Sequence, residues 1–442
     1  LPHTWNALDE QKGDGTYDRG SYWYVKMLDK WEPSAKYSRL FLEIPAAGQQ
    51  AKVFVNGEFV VSHEGGYSAF RADITEKCTE EFNTIAIWCS NEKCDAIYPQ
   101  SADFTFYGGL YRGAHLICVP ETHFELLHYG DLGIHAATEP ASWDKEDFML
   151  HIRTKICGVE KDNQVIYQIF DEDGKEVASA ARPADSPDTS IPLYKPHRWD
   201  IKNSYQYTLK ALIMRNNECL DEVELKFGVR TFCCDPGRGF LINGNCVPLR
   251  GVSRHQDKLY QGNALTKEDH IRDAELIEEI GANTVRLAHY QHAQEFYNEC
   301  DKRGFVVWAE IPFISVMNED PLAHENCITQ LKELIYQNDH HPSICFWGIS
   351  NEILIGGISE KLVENHRELN ALAKKIDPYR LTTIAHVTMT PKDGPMHEIT
   401  DVESYNHYFG WYGGKTEDNG PWMDEYHEKY PNRCIGLSEY GC

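Results

Sequence analysis

The stretch Phe346-Trp347-Gly348-Ile349-Ser350-Asn351-Glu352 is an apolar run that breaks off on an amide and a carboxylate. It reads as a buried strand with a polar end. The dipeptide itself says little, because Asn-Glu recurs at 91–92, 217–218, 298–299 and 318–319. Its setting is what separates it from the others. From about residue 231 onward, apolar runs of strand length alternate with helical stretches. The run 247–252 precedes a helix announced by Thr266 as N-cap with Asp269 three residues later. That helix carries Ile271, Ala274, Ile277 and Ile280 on one face and ends at Gly281. Strands at 284–287, 305–308, 344–349, 381–385, 401–405 and 434–437 follow, with helices near 293–303, 321–337, 359–376 and 421–429. This order predicts seven βα-type units and a parallel (β/α) barrel. A doubly wound sheet also alternates in this way, but no glycine-rich phosphate loop accompanies these strands.

The preceding 230 residues lack helical periodicity. Runs at 21–26, 39–44 and 83–88 are strands, and Val53–Val60 is a hairpin whose Asn56-Gly57 supplies the two positive φ angles of a type I′ turn. The region 121–230 is again β, with a turn at Asp173-Gly174 and a polar loop near 181–190, and its size suits an immunoglobulin-like sandwich.

Composition narrows the functions. With 442 residues and 42% hydrophobic content, the chain supports two or three packed cores. Its formal charge of −25 argues against nucleic acid or an anionic membrane as partner. Fourteen scattered cysteines show no zinc spacing and read as free thiols, which points to a reducing compartment such as the cytoplasm. No metal and no cofactor is called for.

In a parallel barrel the C-terminal strand ends carry the chemistry. Here they present His255, then Arg286 and His289, then Glu310, then Asn351-Glu352, then Asn406 and Tyr408, then Ser438-Glu439-Tyr440. Glutamates on strands 4 and 7 face one another across the barrel mouth, so the partner of Glu352 is Glu439. Two carboxylates, one protonated and one ionised, suit glycoside hydrolysis. A spacing of about 5–5.5 Å gives retention through a covalent intermediate. A glutamate at a strand end is also commonly a cap or a surface charge, and the pairing is what sharpens the reading.

At this point the residues resemble glycoside hydrolase family 2, the group of β-galactosidases, β-glucuronidases and β-mannosidases. The likeness runs through Gly251-Val252-Ser253-Arg254-His255, Asn283 to Tyr290, Trp347 to Glu352, Ser404 to Tyr412 and Ser438-Glu439-Tyr440-Gly441. In the N-terminal region it continues through Leu1 to Asn6, His63-Glu64-Gly65-Gly66-Tyr67 and Asp103 to Arg112. The resemblance implies a multidomain chain. It consists of a jelly-roll-like sugar-binding β-sandwich over 1–120, an immunoglobulin-like β-sandwich over 121–230 and a (β/α)8 TIM barrel over 231–442. It implies Glu352 as acid/base and Glu439 as nucleophile. Asn351, His255, His289 and Tyr408 would contact the sugar or the nucleophile, and Asp103 would reach the site from the first domain.

Three departures accompany it. His340 precedes His341-Pro342 where the family usually has Asn. Ile311 to Ser315 offers neither the Glu nor the His of a galactosidase magnesium site. The sequence runs three residues past Glu439, short of an eighth strand, which predicts an open barrel with strands 1 and 7 as edges. The expected activity is that of a retaining exo-β-glycosidase acting on terminal β-galactosides, from the wording Trp347 to Ile353 and the acidic charge. A β-glucuronidase is the alternative, and a non-catalytic carbohydrate-binding fragment is the reading from another class. A carbohydrate is the only partner called for, alongside homo-oligomerisation, which is common in the family.

Overall fold

The computed structural model describes residues 1–441 apart from 10, 12–16, 35 and 80, so Cys442 lies outside the described residues. The first region is a sandwich of a four-stranded antiparallel sheet and a three-stranded one. Their inward residues, among them Leu40, Leu42, Val53, Val55, Ile85 and Ile87, form one core. Strands Gln50–Val55 and Glu58–Glu64 pair around Asn56 and Gly57, whose φ angles are 50° and 82°. This is the hairpin that the Asn-Gly pair dictates. The second region is a further antiparallel sandwich around Phe148, Val165, Tyr167, Leu209 and Phe227. Its strand Glu176–Pro183 takes up the start of the expected polar loop near 181–190, so the loop there is shorter than the composition suggested.

Seven parallel strands form the third region. They are β1 (Gly251–Arg254), β2 (Thr284–Leu287), β3 (Val306–Glu310), β4 (Ile344–Asn351), β5 (Leu381–Val387), β6 (Val402–His407) and β7 (Ile435–Tyr440). They lie in strict chain order in one sheet, which is the barrel arrangement and excludes the doubly wound one. Five helices connect them: α1 (Lys267–Glu279), α2 (Gln294–Arg303), α3 (Pro321–Asn338), α4 (Glu360–Ile376) and α5 (Asn419–Lys429). Thr266 and Asp269 close a reciprocal capping box on α1, as their spacing requires. The seven repeats are not uniform. Between β5 and β6 the chain turns without a helix, so the expectation of regular βα units fails there.

Every residue of β4 is buried, which explains its lack of alternation: the barrel interior covers one face and helices the other. Gly348 is required by contact, because a Cβ there would lie 2.3 Å from Trp308 Nε1 and 2.6 Å from Glu310 Cβ. Among the described residues, β1 and β7 are not paired as strands; Ser253 Oγ donates to Ser438 O at 3.4 Å across the gap between them.

Helix α3 fixes the first sandwich to the barrel through a polar stripe. Asn326, Gln330, Glu333 and Gln337 recur at helical spacing and are all buried. Glu333 accepts from Ser68 and lies 2.9 Å from His63 Nε2, Gln337 exchanges hydrogen bonds with the backbone of Ala69, and Gln330 donates to Tyr98 O. This seam sets the loop that carries Asp103 beside the barrel mouth. Among the described residues, no helix is long and apolar enough to cross a membrane.

Candidate active site

Arg286, at the end of β2, is the hub of the mouth. Its guanidinium donates to Glu310 through Nε at 3.0 Å and Nη2 at 2.9 Å, to Asn351 Oδ1 at 2.8 Å, and through Nη1 to Glu439 Oε1. Glu310 is fully buried, so this bidentate pair is a fixed base plate and not a reacting group. His289 Nδ1 faces Glu310 Oε1 at 2.6 Å and therefore carries a proton; its Nε2 lies 3.6 Å from Glu439 Oε1.

Glu439 is held from both sides, because Tyr408 Oη donates to its Oε2 while Arg286 holds Oε1. Burial alone would raise its pKa. The Arg286 charge, His289 and the Tyr408 hydroxyl outweigh burial, and the carboxyl sits below its ordinary value. Glu352 differs. Burial lifts it above its ordinary value; the Asn406 amide, donating to Oε1 at 3.0 Å, opposes that lift, and the charges of Glu439 and Asp103 add to it. Two carboxylates at one mouth are thus driven apart, one toward the acid and one toward the anion.

The backbone aims them. Glu352 follows β4 in the left-handed region, at φ 47°, with its N–H donating to Ala385 O at 2.8 Å. For a residue with a Cβ this conformation costs on the order of 1–2 kcal/mol, and such outliers cluster at functional sites. Asn406 ties the two ends together: it donates to both Asn351 Oδ1 and Glu352, and accepts from Ser438 Oγ at 2.7 Å. Asn351 Oδ1 receives two donors, which leaves its amide NH2 to donate.

The remaining expected residues gather here too. Asp103, Arg286, His255, His289, Tyr408 and Glu439 line one cavity of about 940 Å3. His255 Nδ1 lies 3.2 Å from Tyr290 Oη. Burial, with His289 and Arg286 nearby, pushes its imidazole down to about 4, so it is neutral at pH 7. Phe104 brings the first sandwich to the site, its ring 5.1 Å from His255 and 5.9 Å from His289. Asp103 itself is exposed beside this ring.

Arg286, Glu310 and Asn406 stand among the strand-end residues of the sequence but were not expected to be its organisers, and Tyr290 and Phe104 lie within the stretches of family resemblance without being singled out there. The thirteen described cysteines are all free, and Cys234, Cys246 and Cys434 are among the residues that line the cavity.

The model of the TIM barrel domain of glycosyl hydrolases family 2 matches residues 236–442, and a second glycosyl hydrolases family 2 model matches 141–230. The chain is 36% identical to a β-glucuronidase of Bacteroides fragilis, over 100% of this chain and 65% of that protein. It is 29% identical to a β-galactosidase of Thermoanaerobacter pseudethanolicus, over 89% and 52%. Among solved structures, an FMN-binding β-glucuronidase from Facaelibacterium prausnitzii L2-6 superposes at TM-score 0.98 with 53% identity, over 100% of this chain and 68% of that one. A Bacteroides uniformis β-glucuronidase gives 0.93 at 32% identity, over 100% and 55%. The chain therefore spans between about half and two thirds of the length of these relatives. Both domain models name one family, and the likeness at 53% identity extends over every strand that carries the mouth cluster: the chain belongs to glycosyl hydrolase family 2.

Proposed function

We propose that the mouth cluster is the catalytic centre of a retaining exo-β-glycosidase and that its preferred glycone is a β-glucuronide. The opposed electrostatics of Glu352 and Glu439 carry the first part. Glu352 holds a proton that passes to the glycosidic oxygen as the C–O bond breaks. Glu439, kept anionic by Arg286 and Tyr408, attacks the anomeric carbon and forms a glycosyl ester. Glu352, now ionised, takes a proton from water; the water attacks the same carbon and frees Glu439. Tyr408 keeps its proton, since burial and the Glu439 charge push its pKa up, and it releases its grip on Oε2 as negative charge leaves the nucleophile. We assign His255, His289 and Asn351 as the contacts for sugar hydroxyls; His255, His289 and Asp103 line the same cavity.

The galactoside preference expected from the sequence rests on local wording. The relatives favour the glucuronide: the B. fragilis protein and both solved structures described above are β-glucuronidases, and the T. pseudethanolicus protein supports the galactoside as the second reading. Release of p-nitrophenol from the two β-glycosides tests this on the protein and on Glu439→Gln. Faster turnover of the glucuronide, abolished in the variant, is expected. Preference for the galactoside overturns the glycone and keeps the chemistry. Turnover that survives in the variant overturns the chemistry.

A further inference from the structure

The outward face of the strands that carry the mouth holds a second polar cluster. His386 on β5, Glu403 on β6 and His397 in the connection between them are buried. Glu403 Oε2 lies 2.8 Å from His386 Nε2 and 3.0 Å from His397 Nδ1, and all three atoms are within 4.8 Å of one another. The other carboxylate oxygen is occupied, accepting the Glu398 N–H at 2.6 Å.

His397 is the informative member. Its Nε2 faces the Pro391 carbonyl at 2.8 Å, with Tyr405 Oη further off at 3.2 Å, so Nε2 carries a proton. With its proton there, the ring turns Nδ1 toward the carboxylate oxygen 3.0 Å away, on the same oxygen that His386 Nε2 approaches. The arrangement is that of a metal-bound imidazole, whose remote N–H is given to a backbone carbonyl. Two imidazoles and one carboxylate oxygen are a zinc-type donor set, in which ligand atoms stand about 3.3 Å apart at bond lengths of about 2.0–2.1 Å. The two nitrogen–oxygen spacings need to open by only a few tenths of an ångström, and the two nitrogens lie within 4.8 Å of each other. A cavity of about 360 Å3 lined by Arg367, Asn370, His397, Glu398 and Ile399 reaches one of the three residues, His397.

The trio His128, Asp131 and His135 also clusters, but there both ring nitrogens of His135 face carboxylates, of Asp131 and Asp339, so it has no remote N–H on a backbone carbonyl as His397 has.

We propose that His386, His397 and Glu403 form a binding site for one zinc-type divalent ion, which ties the 388–401 connection to β5 and β6. The test uses the purified protein, stripped with a chelator, loaded with Zn2+ or Co2+, and freed of loose metal by gel filtration. The expected result is about one retained equivalent, tetrahedral Co2+ bands in the visible, and a thermal midpoint several degrees higher with Zn2+. Retention is lost in His386→Ala and in Glu403→Gln and kept in His128→Ala. No retained metal in the unsubstituted protein overturns the proposal, as does equal retention in the His386 and Glu403 variants. If those variants fail to fold, the Co2+ spectrum of the unsubstituted protein decides. Tetrahedral bands without a thiolate charge-transfer band uphold it; weak octahedral bands, or a thiolate band from the cysteines, overturn it.

Discussion

Two buried histidine–carboxylate clusters in this molecule use the same residue types to opposite ends. At the seam between the second sandwich and the barrel, His135 links Asp131 to Asp339, and His128 Nδ1 lies against Asp131 at 2.5 Å. At the barrel mouth, His289 and Arg286 hold Glu310 and Glu439. The electrostatic perturbation is greater at the seam. Burial opposes the charge on His135, yet Asp339 and Asp131 raise it to about 10, and the two histidines drive Asp131 far below the carboxylate range. Perturbation alone therefore does not mark an active site. The difference is what the groups face. The seam histidine has both ring nitrogens bonded within the fold, whereas Glu439 and His289 line a cavity that a sugar can enter. Open valence toward a cavity, and opposite shifts on neighbouring carboxyls, separate chemistry from support.

The contrast can be broken most severely at the proposed nucleophile. Glu439→Gln is expected to lower kcat on the order of 10^4-fold or more while leaving the thermal midpoint close to that of the parent. A comparable loss of stability would place Glu439 with the structural carboxylates. Glu352→Gln removes only the proposed proton donor, with an expected loss of about 10^2–10^4-fold, and an aryl glycoside with a very good leaving group should regain much of its first step. Tyr408→Phe deletes one hydrogen bond to a charged group, about 1.5–3 kcal/mol, and should cost about 10- to 150-fold in kcat/KM.

The pH profile sharpens the same comparison. The proposed mechanism needs Glu439 ionised, and its pKa lies below the ordinary carboxylate value of 4.5; it needs Glu352 protonated, and that pKa lies above 4.5. Plots of kcat/KM should be bell-shaped, with the acid limb below 4.5 and the basic limb above it. In Tyr408→Phe the acid limb should move to higher pH, because a donor that favoured the anion is gone.

At the seam the effect is on stability and not on rate. His135 has a folded pKa raised to about 10, above an unfolded value of about 6.5. Its contribution is fully present below pH 6.5 and is lost as pH rises through about 10. Asp339→Asn should cost about 3 kcal/mol near neutral pH and flatten that alkaline fall in urea titrations, with kcat/KM unchanged. A variant that kept the alkaline fall would remove Asp339 from the account.

Much of this was legible in the sequence, for identifiable reasons. Asn56-Gly57 and the Thr266/Asp269 pair act locally, so their turn and cap follow from short-range chemistry. The strand ends gathered Glu352, Glu439, His255, His289, Asn351 and Tyr408 because a parallel barrel brings consecutive strand ends to one mouth. The rest depended on distance. Arg286 touches residues from β3, β4 and β7, and nothing in its own neighbourhood along the chain announces four acceptors. The polar stripe on α3 reads as a solvated face until the first sandwich is laid against it. The missing helix between β5 and β6 is a local failure of the repeat, and the pairing of His386, His397 and Glu403 lies there.

The central claim is that Glu439 attacks and Glu352 does not. It is tested most directly by treating the protein with a 2-deoxy-2-fluoro-β-glucuronosyl fluoride, whose glycosyl-enzyme ester turns over slowly, and mapping the label by peptide mass spectrometry. The account predicts one sugar per chain, on the peptide that contains Glu439, and none on Glu439→Gln. A label on Glu352 or Glu310 would contradict it.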